Sequence, residues 1–242
     1  IFVVDPGHWP RDEFTLLASD YPDPEAVLKT FINAIRRRYD GSPLRLQSKS
    51  VRLQLYHLNI DVVPAIDRGR GDHTIMIPDR RSGKWILTAP RRHTELATDI
   101  NRLRDGLFKP LVKLLKFWNS RLPSTADFRS FAVETIACRL FQKRSFQSLE
   151  QGLLLFFDFV ASFANQGEVI QWSDTCGVEL GWLECQVPDL ANTGSNVVVK
   201  VDNTRKGNFI KHAIVSRNRM LAATKTRSDR AAWTQVSAAL RY

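Results

Sequence analysis

The chain has 242 residues, 43% hydrophobic and 25% charged, the balance of an ordinary folded protein and enough for one large domain or two lobes. Lys and Arg outnumber Asp and Glu by 35 to 25, and the net charge of +10 suits a polyanionic partner (a nucleoside triphosphate, RNA, DNA or an anionic surface) without choosing among them. Cys138, Cys176 and Cys185 form no C-x-x-C pair, which argues against a disulfide frame or zinc ribbon and for a reducing, cytoplasmic setting; the longest apolar run, near Leu153–Val160, is interrupted by Asp158 and too short to span a bilayer.

Ile1–Val4 reads as the tail of a buried strand, followed by a turn at Asp5, Pro6 and Gly7. Asp23-Pro24-Glu25 opens a helix that runs to about Arg38. Asp23 is its cap, Pro24 its first residue, and Val27, Leu28, Phe31, Ile32 and Ile35 its apolar face. Arg36, Arg37 and Arg38 end it where cations favour the helix dipole. After the turn Asp40–Pro43 and a short strand near Leu44–Gln47 comes Ser50–Ile66, which reads as two strands. Val51, Leu53 and Leu55 alternate with polar residues, the chain turns near His57 and Leu58, and Asn59–Ile66 forms a second apolar run closed by Pro64.

That second run contains one carboxylate, Asp61. Charged groups are seldom buried without a partner, so two readings stand. Asp61 either faces solvent on an edge strand or is fixed there to hold a metal ion. Asp67–Asp72 is a charged loop, and the strands Thr74–Pro78 and Lys84–Thr88 are joined by a turn at Asp79–Gly83.

From about Thr94 the periodicity becomes helical. Leu96, Ile100 and Leu103 mark one face; Leu111, Leu114, Leu115 and Trp118 mark the next, with Lys113 and Lys116 projecting away. Ser130–Ile136 follows the loop Leu122–Asp127, and Ser148–Phe163 is a strongly apolar helix whose aromatics read as core. Cys185–Asn196 is a turn-rich connector. A last long helix covers about Lys206–Thr224, and the alanine-rich Arg230–Leu240 continues it or packs separately.

Several of these stretches, in this order, resemble the nucleotidyltransferases that include cyclic GMP–AMP synthase, the oligoadenylate synthases and the bacterial CD-NTases. Ile60, Asp61, Val62, Val63, Pro64 and Ala65 match the strand that carries the family's third metal-binding aspartate. Trp85 and the string Thr88–His93 match a strand and turn lining the nucleotide pocket, which makes Arg91, Arg92 and His93 candidates for phosphate or acceptor contacts. Lys116 fits the lysine that reaches the triphosphate, Ser130 the serine that hydrogen-bonds it, and Phe131 the aromatic that stacks on a base; Glu134 matches an acid on the same helix and is read as a polar anchor. For Lys116 and Phe131 the plain alternatives are a solvated lysine and a core aromatic. Neither the family's Gly-Ser motif nor its Asp-x-Asp pair appears in these residues, since the Gly41-Ser42 pair falls in a turn after the first helix and is not the family's motif. That implies a chain beginning just past them, or a relative without the first two metal ligands.

The resemblance implies an α+β, bilobal, polymerase-β-like fold, with a strand-rich core lobe over residues 1–93 and a helical lobe over 94–242 that completes the nucleotide cleft. It further implies an Mg²⁺- or Mn²⁺-dependent enzyme that makes cyclic di- or oligonucleotide second messengers from ribonucleoside triphosphates in bacterial antiphage defence. In this scheme Asp61 binds metal and acts in catalysis, while Lys116, Ser130, Phe131 and Arg91 bind the nucleotide. An activating nucleic acid or regulatory protein is the implied partner, and no membrane. The competing readings are an inactive nucleotide- or RNA-binding relative and a transferase that adds nucleotides to RNA or protein.

Overall fold

The computed structural model describes residues 1–4, 22–68, 71–164, 176–180, 185–191, 193–226 and 228–241; the expected turn at Asp5–Gly7 lies outside them. Contacts divide the chain into two compact units, Ile1–Arg92 and His93–Tyr242.

In the first unit, helix α1 spans Pro24–Arg38 and starts as its sequence dictates. The Asp23 carboxylate accepts from Ala26 N at 2.8 Å, Pro24 occupies the first turn, and Val27 and Leu28 are buried. Strands β2 (Leu44–Leu46), β3 (Val51–Gln54) and β4 (Asn59–Val62) form an antiparallel sheet in that order. The pairing Leu44↔Leu53 and Leu46↔Val51 puts apolar side chains on one face. The other face carries the row Arg45↔Arg52↔Asp61.

The run Asn59–Ile66 is not one strand. It leaves the first sheet at Val62, and Pro64 opens β5 (Pro64–Asp67) in a second sheet of order β1-β5-β6-β7. The expectation that Pro64 closes the run is therefore corrected. Proline is tolerated at the first residue of a strand, where its missing N–H costs the ladder nothing. The other members of this sheet are β1 (Phe2–Val4), β6 (Ile75–Asp79) and β7 (Lys84–Thr88). β1 runs parallel to β5 at the sheet edge, with Phe2 62% and Val3 58% exposed, so the first apolar run is a strand but not a buried one.

The second unit is helical. Its helices are α2 (Pro90–Leu103, entered from the last residues of the first unit), α3 (Phe108–Ser120), α4 (Ser130–Lys143), α5 (Leu149–Ala161), α6 (Asn203–Thr224) and α7 (Asp229–Ala239). Helix α6 begins earlier than its apolar periodicity suggests because Asp202 caps it, accepting from Arg205 N at 2.7 Å. α7 is separate from it.

The core of this unit centres on Trp118, whose ring meets Phe156, Phe157 and Phe209 edge to face. Trp118 Nε1–H donates to Ser216 Oγ at 3.0 Å, and that hydroxyl donates to Ala239 O at 2.8 Å. Gly152 lets α5 approach α3, since a Cβ there would lie 2.7 Å from Leu111 Cδ2. Asn119, at the end of α3, donates to Phe128 O (2.7 Å) and accepts from Phe128 N (2.9 Å). Phe128 stacks on Phe209 at 4.0 Å. These contacts fix the point where α4 begins, two residues on at Ser130.

Candidate functional site

Asp61 sits on β4, the edge strand of the three-stranded sheet, and its side chain is accessible. Its cross-strand neighbour Arg52 grips both carboxylate oxygens, Nε donating to Oδ1 at 2.8 Å and Nη2 to Oδ2 at 3.0 Å. The hydrogen bond from Arg52 is the main reason the Asp61 carboxyl lies below the ordinary carboxylate range; slight burial opposes it and the arginine's charge adds to it. Asp61 is thus an exposed, ionised carboxylate with an exchangeable partner. The two sequence readings meet here, because the residue faces solvent on an edge strand and is also able to donate oxygen to a cation.

Among the described residues no three His, Cys, Asp or Glu side chains gather to hold a metal ion. Asp61 fits as one hard oxygen ligand, and an ion held there would need further oxygen donors. Phe2 N donates to Val63 O at 2.9 Å, which puts the amino end of β1 two residues past Asp61 along the chain.

The second unit brings other candidates together. Lys116 on α3 reaches across to Glu134 on α4, Nζ to Oε2 at 2.5 Å, with both side chains about a third exposed. An ammonium has three donors, so a single carboxylate leaves it capacity for a phosphate. Ser130, the first residue of α4, is exposed and lies four residues before Glu134, hence on the same helix face. Cys138, one further turn along, is buried. Burial first, and the Glu134 charge second, pushes its thiol up to about 12, so no thiolate nucleophile is available on this face.

Phe131 follows Ser130, is 44% exposed, and meets the His93 ring at 5.1 Å with an interplanar angle of 80°. Arg91 is exposed in the first turn of α2. His93, two residues on, turns inward instead: Nε2 lies 3.0 Å from Asp189 Oδ1, and the side chains are 16% and 6% exposed.

Two features of this region were not foreseen. One is the Lys116–Glu134 pair; the other is the seating of His93 on Asp189. The residues of each pair lie 18 and 96 positions apart, and the only signal the sequence offered was an acid on the helix that also carries Ser130.

With this geometry in view, comparison with known proteins is informative. Residues 9–101 match the domain family described as "Second Messenger Oligonucleotide or Dinucleotide Synthetase domain". The cyclic AMP-AMP-AMP synthase of an Acinetobacter species is 38% identical over 96 residues, 40% of this chain and 27% of that protein. A "Probable cyclic nucleotide synthase" of Bacillus cereus is 30% identical over 120 residues, 48% of this chain and 35% of that one. The match thus spans about a third or less of either relative. Among solved structures, E. coli CdnC in complex with HORMA-deltaN aligns with a TM-score of 0.70 at 20% identity, covering 93% of this chain and 75% of CdnC. E. coli DncV in its 3'-deoxy GTP bound form gives a TM-score of 0.63 at 14% identity, covering 90% and 57%. At these identities the structural likeness establishes the fold, the polymerase-β-like α+β fold of these enzymes. Among the described residues no helix is long and apolar enough to cross a membrane.

Proposed function

We propose that this chain, whose residues 9–101 match the second-messenger oligonucleotide or dinucleotide synthetase domain family, joins ribonucleoside triphosphates into cyclic di- or oligonucleotide messengers. The observation that carries this reading is that the family match contains β4, where Asp61 stands ionised and accessible. In this scheme residues 1–93 carry Asp61, and most of the residues that grip the nucleotide lie in residues 94–242.

Lys116 meets the donor triphosphate with the N–H donors that Glu134 leaves over, and the Ser130 hydroxyl donates to a phosphate oxygen from the start of α4. Phe131 offers its exposed ring to a base, and Arg91 adds cationic charge at the start of α2. Asp61 is a ligand for Mg²⁺ or Mn²⁺ and accepts hydrogen bonds from an acceptor hydroxyl. The ion, when bound, supplies charge neutralisation at the triphosphate. Holding the reactants in line and neutralising charge are what this arrangement contributes. ATP and GTP are the first nucleotides to test, since solved relatives are described with each bound. The excess of basic charge supports a polyanionic partner such as a nucleic acid, and the HORMA-deltaN complex of CdnC supports a protein partner.

One observation favours a second reading. Arg52 occupies both Asp61 oxygens, and no cluster of three or more potential metal ligands forms among the described residues, as in a nucleotide- or RNA-binding relative without chemistry. The test is to incubate the full gene product with all four labelled ribonucleoside triphosphates and Mg²⁺ or Mn²⁺, with and without added nucleic acid, and resolve the phosphatase-resistant products. The proposal predicts a small resistant product that Asp61→Asn reduces by ~100-fold or more. A labelled macromolecule would instead identify a transferase acting on RNA or protein. Nucleotide binding without any product would support the second reading.

A further inference from the structure

Phe131 is a large ring standing at the surface in the first turn of α4. A side chain so placed ordinarily samples several rotamers, and a ligand that stacks on it bears the cost of stopping them. Here the ring is met by His93, at 5.1 Å and nearly perpendicular. His93 in turn packs against a carboxylate: its Nε2 lies 3.0 Å from Asp189 Oδ1, a close approach without hydrogen-bond geometry, and Asp189 Oδ2 accepts from Thr193 Oγ1 at 2.7 Å. The backbone of this connector is fastened in turn by Arg139, whose Nε donates to Pro188 O at 2.8 Å and Nη2 to Asp189 O at 3.1 Å.

Arg139 lies on α4, the helix that carries Phe131. The contacts therefore close on themselves, running from α4 through Arg139 to the connector, through Asp189 to His93, and back to α4 at Phe131. The ring of contacts is itself largely buried, with His93 16% and Asp189 6% exposed, yet it ends on an exposed residue.

We infer that His93, seated on Asp189, is a positioning residue that holds Phe131 as a preformed stacking platform for a nucleotide base. This rests on the reading of Phe131 given under Proposed function. Neither His93 nor Asp189 touches the nucleotide in this account. Their effect passes through the Phe131 ring, so it falls on the affinity for any planar base and not on phosphate contacts.

The experiment is a double-mutant cycle on the full chain with ATP, and with 2-aminopurine ribonucleoside triphosphate, whose fluorescence is quenched when its base stacks. Phe131→Ala is expected to weaken binding roughly 5- to 150-fold, the range for one base stacked on an aromatic. His93→Ala is expected to weaken it about 2- to 13-fold, the range for an edge-on aromatic pair, with partial loss of quenching. In the Phe131→Ala background, His93→Ala is expected to add nothing. Asp189→Asn, which preserves shape, repeats the test if His93→Ala melts too low to use. Equal effects of His93→Ala in both backgrounds, or wild-type quenching in His93→Ala and Asp189→Asn, would overturn the inference while leaving the stacking role of Phe131 intact. Wild-type affinity in Phe131→Ala would instead remove the stacking role, and the inference with it.

Discussion

The two units hold their candidate residues by different means. In Ile1–Arg92 the strands are three to five residues long, and Asp61 stands on an edge strand with an accessible arginine as partner. In His93–Tyr242, Lys116, Ser130 and Phe131 stand on helices locked to an aromatic core by Trp118, Asn119 and Phe209. The difference suits their proposed tasks. A carboxylate that must exchange partners during a reaction is best left where one ion pair can open. Groups that only grip a substrate gain from a frame that does not move.

Removing the centre of the helical core is the harshest way to break this comparison. Trp118→Ala deletes a side chain with no exposed surface and its hydrogen bond to Ser216, and should cost about 3–5 kcal/mol in guanidinium unfolding followed by far-UV circular dichroism. A loss below about 1 kcal/mol would mean that Trp118 is not the keystone described. In the first unit the corresponding change is milder. Asp23→Ala removes the cap of α1 and should cost about 1 kcal/mol, whereas an unchanged midpoint would show that the cap does not matter.

The smallest expected effect concerns pH. The hydrogen bond from Arg52 holds the Asp61 carboxyl below its ordinary 3.8, so the pair stabilises the fold above that value. The contribution fades as pH falls through the lowered value, because the native state must then take up a proton. Wild type should therefore exceed Arg52→Gln slightly in melting temperature at pH 7, with the gap closing below pH ~4. A gap that widened on acidification would contradict the sign.

Much of the frame was legible because it is local. The Asp23-Pro24 start of α1, the alternation in β3 and the helical stripe around Trp118 are written in neighbouring residues. The change of sheet at Pro64 was not legible, because an apolar run has the same period whichever sheet receives it. The exposure of Ile1–Val3 was hidden for a similar reason: burial depends on which side of a strand has a neighbour, and β1 lies at an edge. At the candidate site, the family resemblance pointed to Asp61, Lys116, Ser130 and Phe131 as candidates. Partners did not follow from them. Arg52, Glu134 and Asp189 reach these residues or their neighbours through strand register and helix packing, which no spacing rule encodes.

The most direct test of the proposed division of labour measures ATP affinity and product synthesis side by side in Asp61→Asn and Lys116→Ala of the full gene product. The account predicts that Asp61→Asn abolishes synthesis while binding ATP within about twofold of wild type, and that Lys116→Ala weakens ATP binding roughly 10- to 100-fold, the worth of a charge-assisted contact. Normal synthesis by Asp61→Asn, or undiminished ATP binding by Lys116→Ala, would contradict it.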